Sequence, residues 1–319
     1  MTDSSHKLII IMKSNEFKLK GTDGIKIHVY EWLPDGVDNI KGLVQIAHGM
    51  AEHSGRYEDF ARFLTLNDFV VYAIDLRGHR KTAGTLNNIG FLAPKNGWDK
   101  LVTDFRQLSL YIKEKNKEKP LYIFGHSGGS FVIRKFILEP GTKLQGAIIS
   151  GTGGNPGILG HFGIFITWTL KLFNPAKSPS PFMNNMTFGA FNKPFRPNRT
   201  KFDWLSRDDE QVDKYVADPF CGGVFSIGFF NDMLKGVLFV SKQKNINKTP
   251  KDLPVLIFSG DKDPVGNNGK GVTEVYNKFK KAGVKNLSLK LFTDGRHEML
   301  NETNKNEVYQ FILNWLNMN

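Results

Sequence analysis

Ser127 lies at the centre of segment 125–129, whose sequence is GHSGG. An apolar run, 121–124, precedes this segment, and apolar residues at helical spacing, 131–138, follow it. A serine between a strand and a helix, with glycines on both sides, is typical of a tight turn that exposes the hydroxyl group. This context favours a nucleophilic serine over an ordinary glycine-rich turn.

A serine hydroxyl becomes a nucleophile when a base removes its proton and an acid holds that base in one tautomer. In open α/β sheets the chain order of such groups is Ser, then Asp or Glu, then His, at the carboxyl ends of strands. Asp261 and Asp263 follow the apolar run 253–258, and His297 follows the run 287–292. We therefore expect His297 as the base and prefer Asp263 as the acid, with Asp261 shaping the turn.

Acyl transfer also needs N–H donors for the oxyanion of the tetrahedral intermediate. The backbone N–H of Gly128, next after the serine, is the first expected donor. The second comes from the loop after an early strand, where the sequence is His48-Gly49-Met50, and the N–H of Met50 is the natural choice. These residues predict acyl transfer through a serine nucleophile.

Neighbouring histidines have structural interpretations. His126 is expected to pack or to form a hydrogen bond beside the nucleophile. His48, Glu52 and His53 could suggest a metal, but they precede a helix and nothing else in the sequence completes a ligand set. We therefore expect no metal and no other cofactor.

Strand and helix patterns alternate along most of the chain. Segments 16–20 and 25–32 flank a turn composition and predict an antiparallel hairpin at a sheet edge. The other predicted strands are 43–47, 69–74, 121–124, 146–150, 253–258 and 287–292. Helical spacing lies between and after them, as in 57–66, 98–112, 272–281 and the C-terminal segment. The pattern predicts an α/β fold with a mostly parallel, eight-stranded sheet covered on both faces.

The alternation stops after the strand at 146–150 and resumes at 253–258. We therefore predict one α/β domain, formed by residues 1–151 and 248–319, with an insertion at 152–247.

Two segments of this insertion, 158–173 and 222–240, are rich in Phe, Ile, Leu, Trp and Met but are too short to span a bilayer. In one interpretation they pack on each other as a helical subdomain. In the other they also line an apolar channel over Ser127 and partly face lipid, with Lys171 and Lys177 nearer the rim.

The chain of 319 residues carries 43 Lys and Arg against 31 Asp and Glu, a formal net charge of +12. A Lys-rich solvated surface is the simpler interpretation, and attraction to an anionic surface is the alternative. No zinc-ligand pairs, basic heptad helix or aromatic RNA-binding signature appears, so nucleic acid is not an expected partner. An anionic membrane surface is the expected partner in the second interpretation.

Cys221 is the single cysteine, so no intramolecular disulfide is expected. Segment 8–12 is too short for a signal-peptide core and lacks a small-residue cleavage site, and no apolar run reaches 18 residues. We expect a cytoplasmic protein, and peripheral contact with a membrane is the alternative that the basic surface leaves open. Met12 is an alternative start, with residues 1–11 then an upstream addition.

A family resemblance adds to this picture. Segment 48–57, HGMAEHSGRY, resembles the His-Gly-x-x-Glu-His-x-x-Arg-Tyr signature of monoacylglycerol lipases and their bacterial lysophospholipase-like relatives. Segment 75–79, DLRGH, resembles the Asp-x-Arg-Gly-His-Gly segment of the same family. The resemblance spans the chain from about residue 14 and implies an α/β-hydrolase with a cap inserted after the sixth strand. It also implies a catalytic triad of Ser127, Asp263 and His297. The implied oxyanion donors are Met50 and Gly128.

The function implied by the resemblance is hydrolysis of monoacylglycerols, lysophospholipids or other carboxyl esters. The expected protein is thus a serine ester hydrolase for single-chain lipids. A small-ester esterase or a serine aminopeptidase is the alternative on the same scaffold. A lipid-binding protein without activity is a further alternative, which the intact set of Ser, His, Asp and oxyanion loop disfavours.

Two positions depart from the family pattern. Gly128 stands where the family usually has Met, which keeps the backbone donor but is expected to lose side-chain packing. Arg80 stands where the family usually has Gly. Arg80 is expected either as a solvated loop residue or as a positive charge near the cap.

Overall fold

The structure is a computed structural model that describes residues 12–36, 40–141 and 143–319. The predictions about segment 8–12 and about an alternative start concern residues that, except for Met12, lie outside the described ones.

Among the described residues, eight strands form one sheet in the order β1-β2-β4-β3-β5-β6-β7-β8. β1 pairs with β2, and β2 with β4, in antiparallel fashion, whereas all other neighbours are parallel. The predicted hairpin and the mostly parallel sheet are confirmed. The strands are β1 Lys13–Lys20, β2 Lys26–Leu33, β3 Gly42–Ala47, β4 Phe69–Ile74, β5 Leu121–His126, β6 Gly146–Ser150, β7 Val255–Gly260 and β8 Leu287–Phe292.

Helices follow most of the strands and fill the segment between β6 and β7. They are α1 Glu58–Thr65, α2 Arg80–Ala83, α3 Gly97–Lys115, α4 Gly128–Phe136, α5 Gly157–Phe173, α6 Pro181–Phe188, α7 Asp209–Ala217, α8 Ile227–Ser241, α9 Gln243–Ile246, α10 Lys270–Lys281 and α11 Lys305–Met318.

The strands β3 to β7 are buried on both faces of the sheet. Successive side chains of a strand point to opposite faces, so each of these strands contributes to two apolar clusters. In β3, Leu43 and Ala47 pack in the apolar cluster that includes α3, α4 and α10. The alternate residues Val44 and Ile46 pack in the cluster formed with α1 and α11. Strands buried on both faces therefore appear in the sequence as continuous apolar runs.

Helices α5 to α9 lie between β6 and β7, as the predicted insertion requires. α5 packs on α8 through small residues: Leu234 and Leu238 approach the Cα atoms of Gly163 and Gly160 so closely that a Cβ would lie 2.8 and 3.3 Å from them. The expectation that the two apolar segments pack on each other is thus confirmed. The other half of α5 is exposed, up to 86% at Ile158.

Candidate active site

Ser127 lies between β5 and α4 with φ 48° and ψ −116°, a backbone conformation that is strained for a residue with a side chain. Ser127 is half-buried, whereas its chain neighbours on both sides are buried. A side chain at Gly129 would overlap the carbonyl oxygen of Ala47, and a Cβ at Gly125 would lie 2.5 Å from the carbonyl oxygen of Gly129. The glycines therefore allow the close strand-to-helix turn that presents the serine hydroxyl.

Asp263 and His297 meet in the loops that follow the neighbouring strands β7 and β8. His297 Nδ1 donates to Asp263 Oδ1 at 2.9 Å. Two further donors hold the carboxylate: Ser259 Oγ at 2.7 Å from Oδ2, and the backbone N–H of Val265 at 2.9 Å from Oδ1. Asp263 and His297 are almost completely buried.

Asp261 has a different environment. Its side chain is 31% exposed and its Oδ1 lies 3.5 Å from Lys262 Nζ. The structure therefore brings Asp263, and not Asp261, to the imidazole of His297.

Burial alone would lower the pKa of His297 and raise that of Asp263. Their mutual attraction and hydrogen bond outweigh burial, so the pKa of His297 lies above its ordinary value and that of Asp263 below. An ionised Asp263 keeps the proton of neutral His297 on Nδ1, which leaves Nε2 able to accept a proton. Between these described residues, no hydrogen bond yet joins Ser127 Oγ to His297, as is common before substrate binds.

The loop after β3 is held by His48. Its Nε2 accepts from the backbone N–H of Leu76 at 2.9 Å, which leaves the ring proton on Nδ1 to donate to the carbonyl oxygen of Gly49 at 2.7 Å. In a trans peptide the C=O and the following N–H point in opposite directions. His48 thus turns the N–H of Met50 away from itself. A Cβ on Gly128 would lie 3.0 Å from Met50 N, so the two expected donors are adjacent.

A buried network of charges supports the same loop. Glu52 accepts from the backbone N–H of Gly49, from Tyr57 Oη at 2.8 Å and from Arg56 at 2.8 Å. Arg56 also donates two 2.6 Å hydrogen bonds to Glu298, next to His297. Burial would raise the pKa of Glu298, but the Arg56 guanidinium lowers it to about 2. Glu52 and Arg56, both in segment 48–57, therefore connect the loop after β3 to the segment that carries His297.

Arg80 joins this region to the insertion. Its Nη1 donates to His53 Nδ1 at 2.9 Å, so His53 carries its proton on Nε2 and donates to Asp218 Oδ2 at 2.8 Å. Arg80 is thus a half-buried contact residue rather than a freely solvated one. His53, Asp218 and Cys221 offer ligand atoms within 4.8 Å of one another. The protonated Nε2 and the adjacent guanidinium make this group unsuited to a cation.

The space beside Gly128 is largely filled, contrary to the expectation that packing beside it is lost. The Cε of Met233, from α8, lies 3.1 Å from where a Cβ on Gly128 would be. A thioether from the insertion therefore covers the space that a side chain at position 128 would take.

A pocket of ≈ 550 Å³ opens over Ser127. Residues of the core line one part of this pocket, among them Met50, His126, Ser127, His297 and Glu298. Residues of the insertion line the rest, among them Asn184, Asn185, Phe188, Asn198, Lys201, Phe202, Trp204, Tyr215 and Gly222.

The channel prediction was wrong for segment 158–173, which does not line this pocket, because α5 packs on the outer side of α8. The predicted rim lysines lie elsewhere: Lys171 donates to Asn231 and Lys177 to Asn88. Lys201 is the exposed lysine at the pocket.

Trp204 is a site residue that sequence reasoning missed. Its ring centroid lies 5.1 Å from that of His297, and its carbonyl oxygen accepts from the backbone N–H of His297 at 3.4 Å. On the other side, the His126 ring lies 4.6 Å from His297. Burial, followed by the charge of His297, lowers the pKa of His126 to about 3, so His126 stays neutral beside His297. No local pattern links Trp204 to His297, because their contact is long-range.

The sheet order and the serine turn define the α/β-hydrolase class. Within it, the chain belongs to the family described as serine aminopeptidase, S33, whose model matches residues 38–304. A monoacylglycerol lipase from Mycolicibacterium smegmatis is 26% identical over 307 residues, which cover 95% of this chain and 96% of that protein. A monoglyceride lipase from Homo sapiens is 26% identical over 311 residues, covering 93% and 89%. Among solved structures, a highly thermostable carboxyl esterase from Bacillus coagulans, in complex with glycerol, has a TM-score of 0.88 at 26% identity and covers 96% of this chain and 99% of that one.

Proposed function

We propose that this protein is a serine carboxyl-ester hydrolase in which Ser127, His297 and Asp263 form the catalytic triad. The backbone N–H groups of Met50 and Gly128 are the proposed oxyanion donors. The observation that carries the proposal is a half-exposed serine on a strained turn, in the same pocket as a histidine whose Nδ1 is held by a buried carboxylate at 2.9 Å.

In the proposed reaction, His297 Nε2 takes the proton of Ser127 as the hydroxyl oxygen attacks the ester carbon. The N–H groups of Met50 and Gly128 stabilise the oxyanion that forms. His297 then gives the proton to the departing alcohol, which leaves an acyl group on Ser127. A water molecule, deprotonated by the same imidazole, releases the carboxylic acid and restores the serine.

Single-chain lipid esters, monoacylglycerols or lysophospholipids, are the proposed substrates. The pocket combines aromatic side chains, such as Phe188 and Trp204, with exposed polar groups, such as Asn185, Asn198 and Lys201. An ester whose alcohol part carries a hydroxyl or phosphate headgroup next to apolar groups suits this division. Two relatives that cover nearly the whole chain carry the names monoacylglycerol lipase and monoglyceride lipase, which supports the same substrate class.

Residues 152–247 are the proposed cap, with residues 1–151 and 248–319 as the two parts of the hydrolase core. The support is that α5 to α9 interrupt the strand alternation and that Trp204 and Tyr215 border the pocket over Ser127.

The exposed half of α5 is the proposed contact with an anionic membrane surface. Its side chains there are large and apolar and face away from α8: Ile158, Leu159, Phe162, Phe165, Trp168, Leu172 and Phe173. A contiguous exposed apolar face of this kind is typical of protein or membrane contact sites. The net charge of +12 favours an anionic lipid surface. No helix in the described part of the chain is long and apolar enough to cross a membrane.

An aminopeptidase would need a carboxylate in the pocket to bind the substrate's ammonium group. Of the described pocket residues, the acidic ones are Glu52 and Glu298. Both are buried and already accept hydrogen bonds within the protein, from Arg56 at 2.8 and 2.6 Å and from neighbouring groups, so their oxygens are not free to bind an amine. This pairing favours ester over aminoacyl substrates.

A comparison of substrate classes on the purified protein tests the proposal. We expect kcat/KM to be highest for monoacylglycerols or lysophospholipids with chains of about C8–C12, because each buried methylene contributes ~0.8 kcal/mol at best. A profile that peaks at acetate would indicate a small-ester esterase. Cleavage of aminoacyl amides in preference to esters would indicate a peptidase, and no turnover of any ester would overturn the proposal.

A further inference from the structure

A second, much smaller space adjoins the site at the loop after β3 and the start of α4. We call it the apolar cavity; it borders Gly49, Met50 and Gly128 and, apart from His79, is closed by apolar side chains that include Leu92, Val132 and Met233. Its volume is ≈ 10 Å³, about the room that one water molecule needs. The pocket of ≈ 550 Å³ shares Gly49 and Met50 with it. The expected oxyanion donors thus stand between a large, partly polar space and a small apolar one.

Met233 is the side chain from α8 that reaches this boundary. Its Cε lies 3.1 Å from where a Cβ on Gly128 would be. Phe229, one helical turn earlier, also lines the apolar cavity, so both residues lie on the face of α8 that meets the core. The next residue, Leu234, points elsewhere and packs against Gly163 of α5.

A methionine side chain suits a position at which the wall of a cavity must be able to move. Its unbranched side chain has three rotatable bonds and fills irregular gaps without a fixed shape. Met233 is only half-buried, whereas the neighbouring Phe229 and Phe230 are buried. Because Gly128 has no side chain, position 128 itself adds nothing to the space next to the donor N–H. Rotation of this one side chain would extend the apolar cavity from the donors toward Leu92 and Trp98.

We propose that Met233 determines the length of acyl chain that the enzyme accepts. This inference rests on the proposed ester hydrolysis. With the ester carbonyl at the N–H groups of Met50 and Gly128, the alcohol part lies in the pocket beside Asn185 and Lys201. The acyl chain enters the apolar cavity, and chains beyond the shortest enter by displacing the Met233 side chain.

Two ester series measured on the same variants test this inference. One varies the acyl chain from C2 to C12 on p-nitrophenol, and the other varies the alcohol on acetate. Met233→Ala should raise the ratio of kcat/KM for C10 over C2 by at least about tenfold, since each additional buried methylene is worth about fourfold. Met233→Phe should lower that ratio. The alcohol series should keep its order in both variants.

Leu234→Ala is the matched control, because it removes a side chain of similar size from the same helix but on the side facing α5. It should leave the C10 to C2 ratio within about twofold of wild type. An unchanged ratio in either folded Met233 variant overturns the inference, and so does a change in the alcohol series instead. If wild type hydrolyses no ester at all, the proposed function fails, which is a different result from an active enzyme with an unaltered profile.

Discussion

The loops that follow the parallel strands and the insertion above them are built differently. In the loops, polar atoms are buried and held in pairs, as in Asp263 with His297 or Glu298 with Arg56. In the insertion, α5 exposes large apolar side chains, and Lys201 and Asn198 stand exposed at the pocket. The fixed geometry of the loops suits chemistry, whereas the insertion suits selection among substrates and surfaces. Changes in the loops should therefore alter rate constants, and changes in the insertion should alter preferences.

The largest expected effect is that of Ser127→Ala. Loss of the proposed nucleophile should lower kcat on p-nitrophenyl acetate by a factor on the order of 10⁵ to 10⁶, with the thermal unfolding midpoint preserved, because the hydroxyl makes little packing contact. Residual activity above about one percent of wild type would rule out Ser127 as nucleophile, since triad members act as a unit.

Asp263→Asn comes next. The histidine tautomer would no longer be held by a carboxylate, so kcat should fall by roughly 10⁴-fold. The matched control, Asp261→Asn, changes a side chain that does not contact His297 and should lower kcat far less. The reverse order of the two measured kcat values would assign the acid to Asp261.

The exposed face of α5 should affect lipid contact without affecting chemistry. Phe165→Ser with Trp168→Ser, a stacked and exposed pair, should reduce partition onto anionic vesicles by at least about tenfold. Hydrolysis of p-nitrophenyl acetate should stay at the wild-type rate. Leu110→Ser, an equally exposed leucine on α3, is the control and should partition normally. Unchanged partition of the double variant, or equal loss in the control, would contradict a membrane-facing α5.

The smallest expected effect is a shift in pH dependence. In the proposed mechanism His297 acts as a base when neutral, so kcat/KM should rise with pH through a pKa that lies above the ordinary histidine value. The Glu298 carboxylate contributes to this raised pKa. Glu298→Gln removes that charge and should move the rising limb to lower pH by less than about one unit. The control is Glu302→Gln, a buried carboxylate that bonds Arg207 instead, and it should leave the limb in place. A shift to higher pH in Glu298→Gln would contradict this electrostatic role.

Most of the sheet could be predicted from the sequence, because strands buried on both faces form short apolar runs between helical patterns. The meeting of Asp263 with His297 was predictable for a related reason: both follow the ends of strands that are neighbours in the sheet. The distinction between Asp261 and Asp263 depended on turn chemistry alone.

The arrangement of the insertion could not be predicted in the same way. α5 and α8 are both apolar, and composition does not say which helix faces the core. Glycines 160 and 163 determine which side of α5 is buried, because they let α8 approach that side closely. The larger side chains of α5 are left on the exposed side. Two contacts join residues that are far apart in the chain: Trp204 with His297, and Met233 with Gly128. No local sequence pattern predicts either contact.

Labelling with a fluorophosphonate is the decisive test of a serine activated by His297 and Asp263. We expect one adduct per chain by intact-protein mass spectrometry, a peptide map that locates the adduct at Ser127, and no adduct in Ser127→Ala. Labelling of Asp263→Asn should be strongly slowed. An unreactive wild-type protein, or an adduct at another serine such as Ser130 or Ser259, would show that Ser127 is not the activated serine.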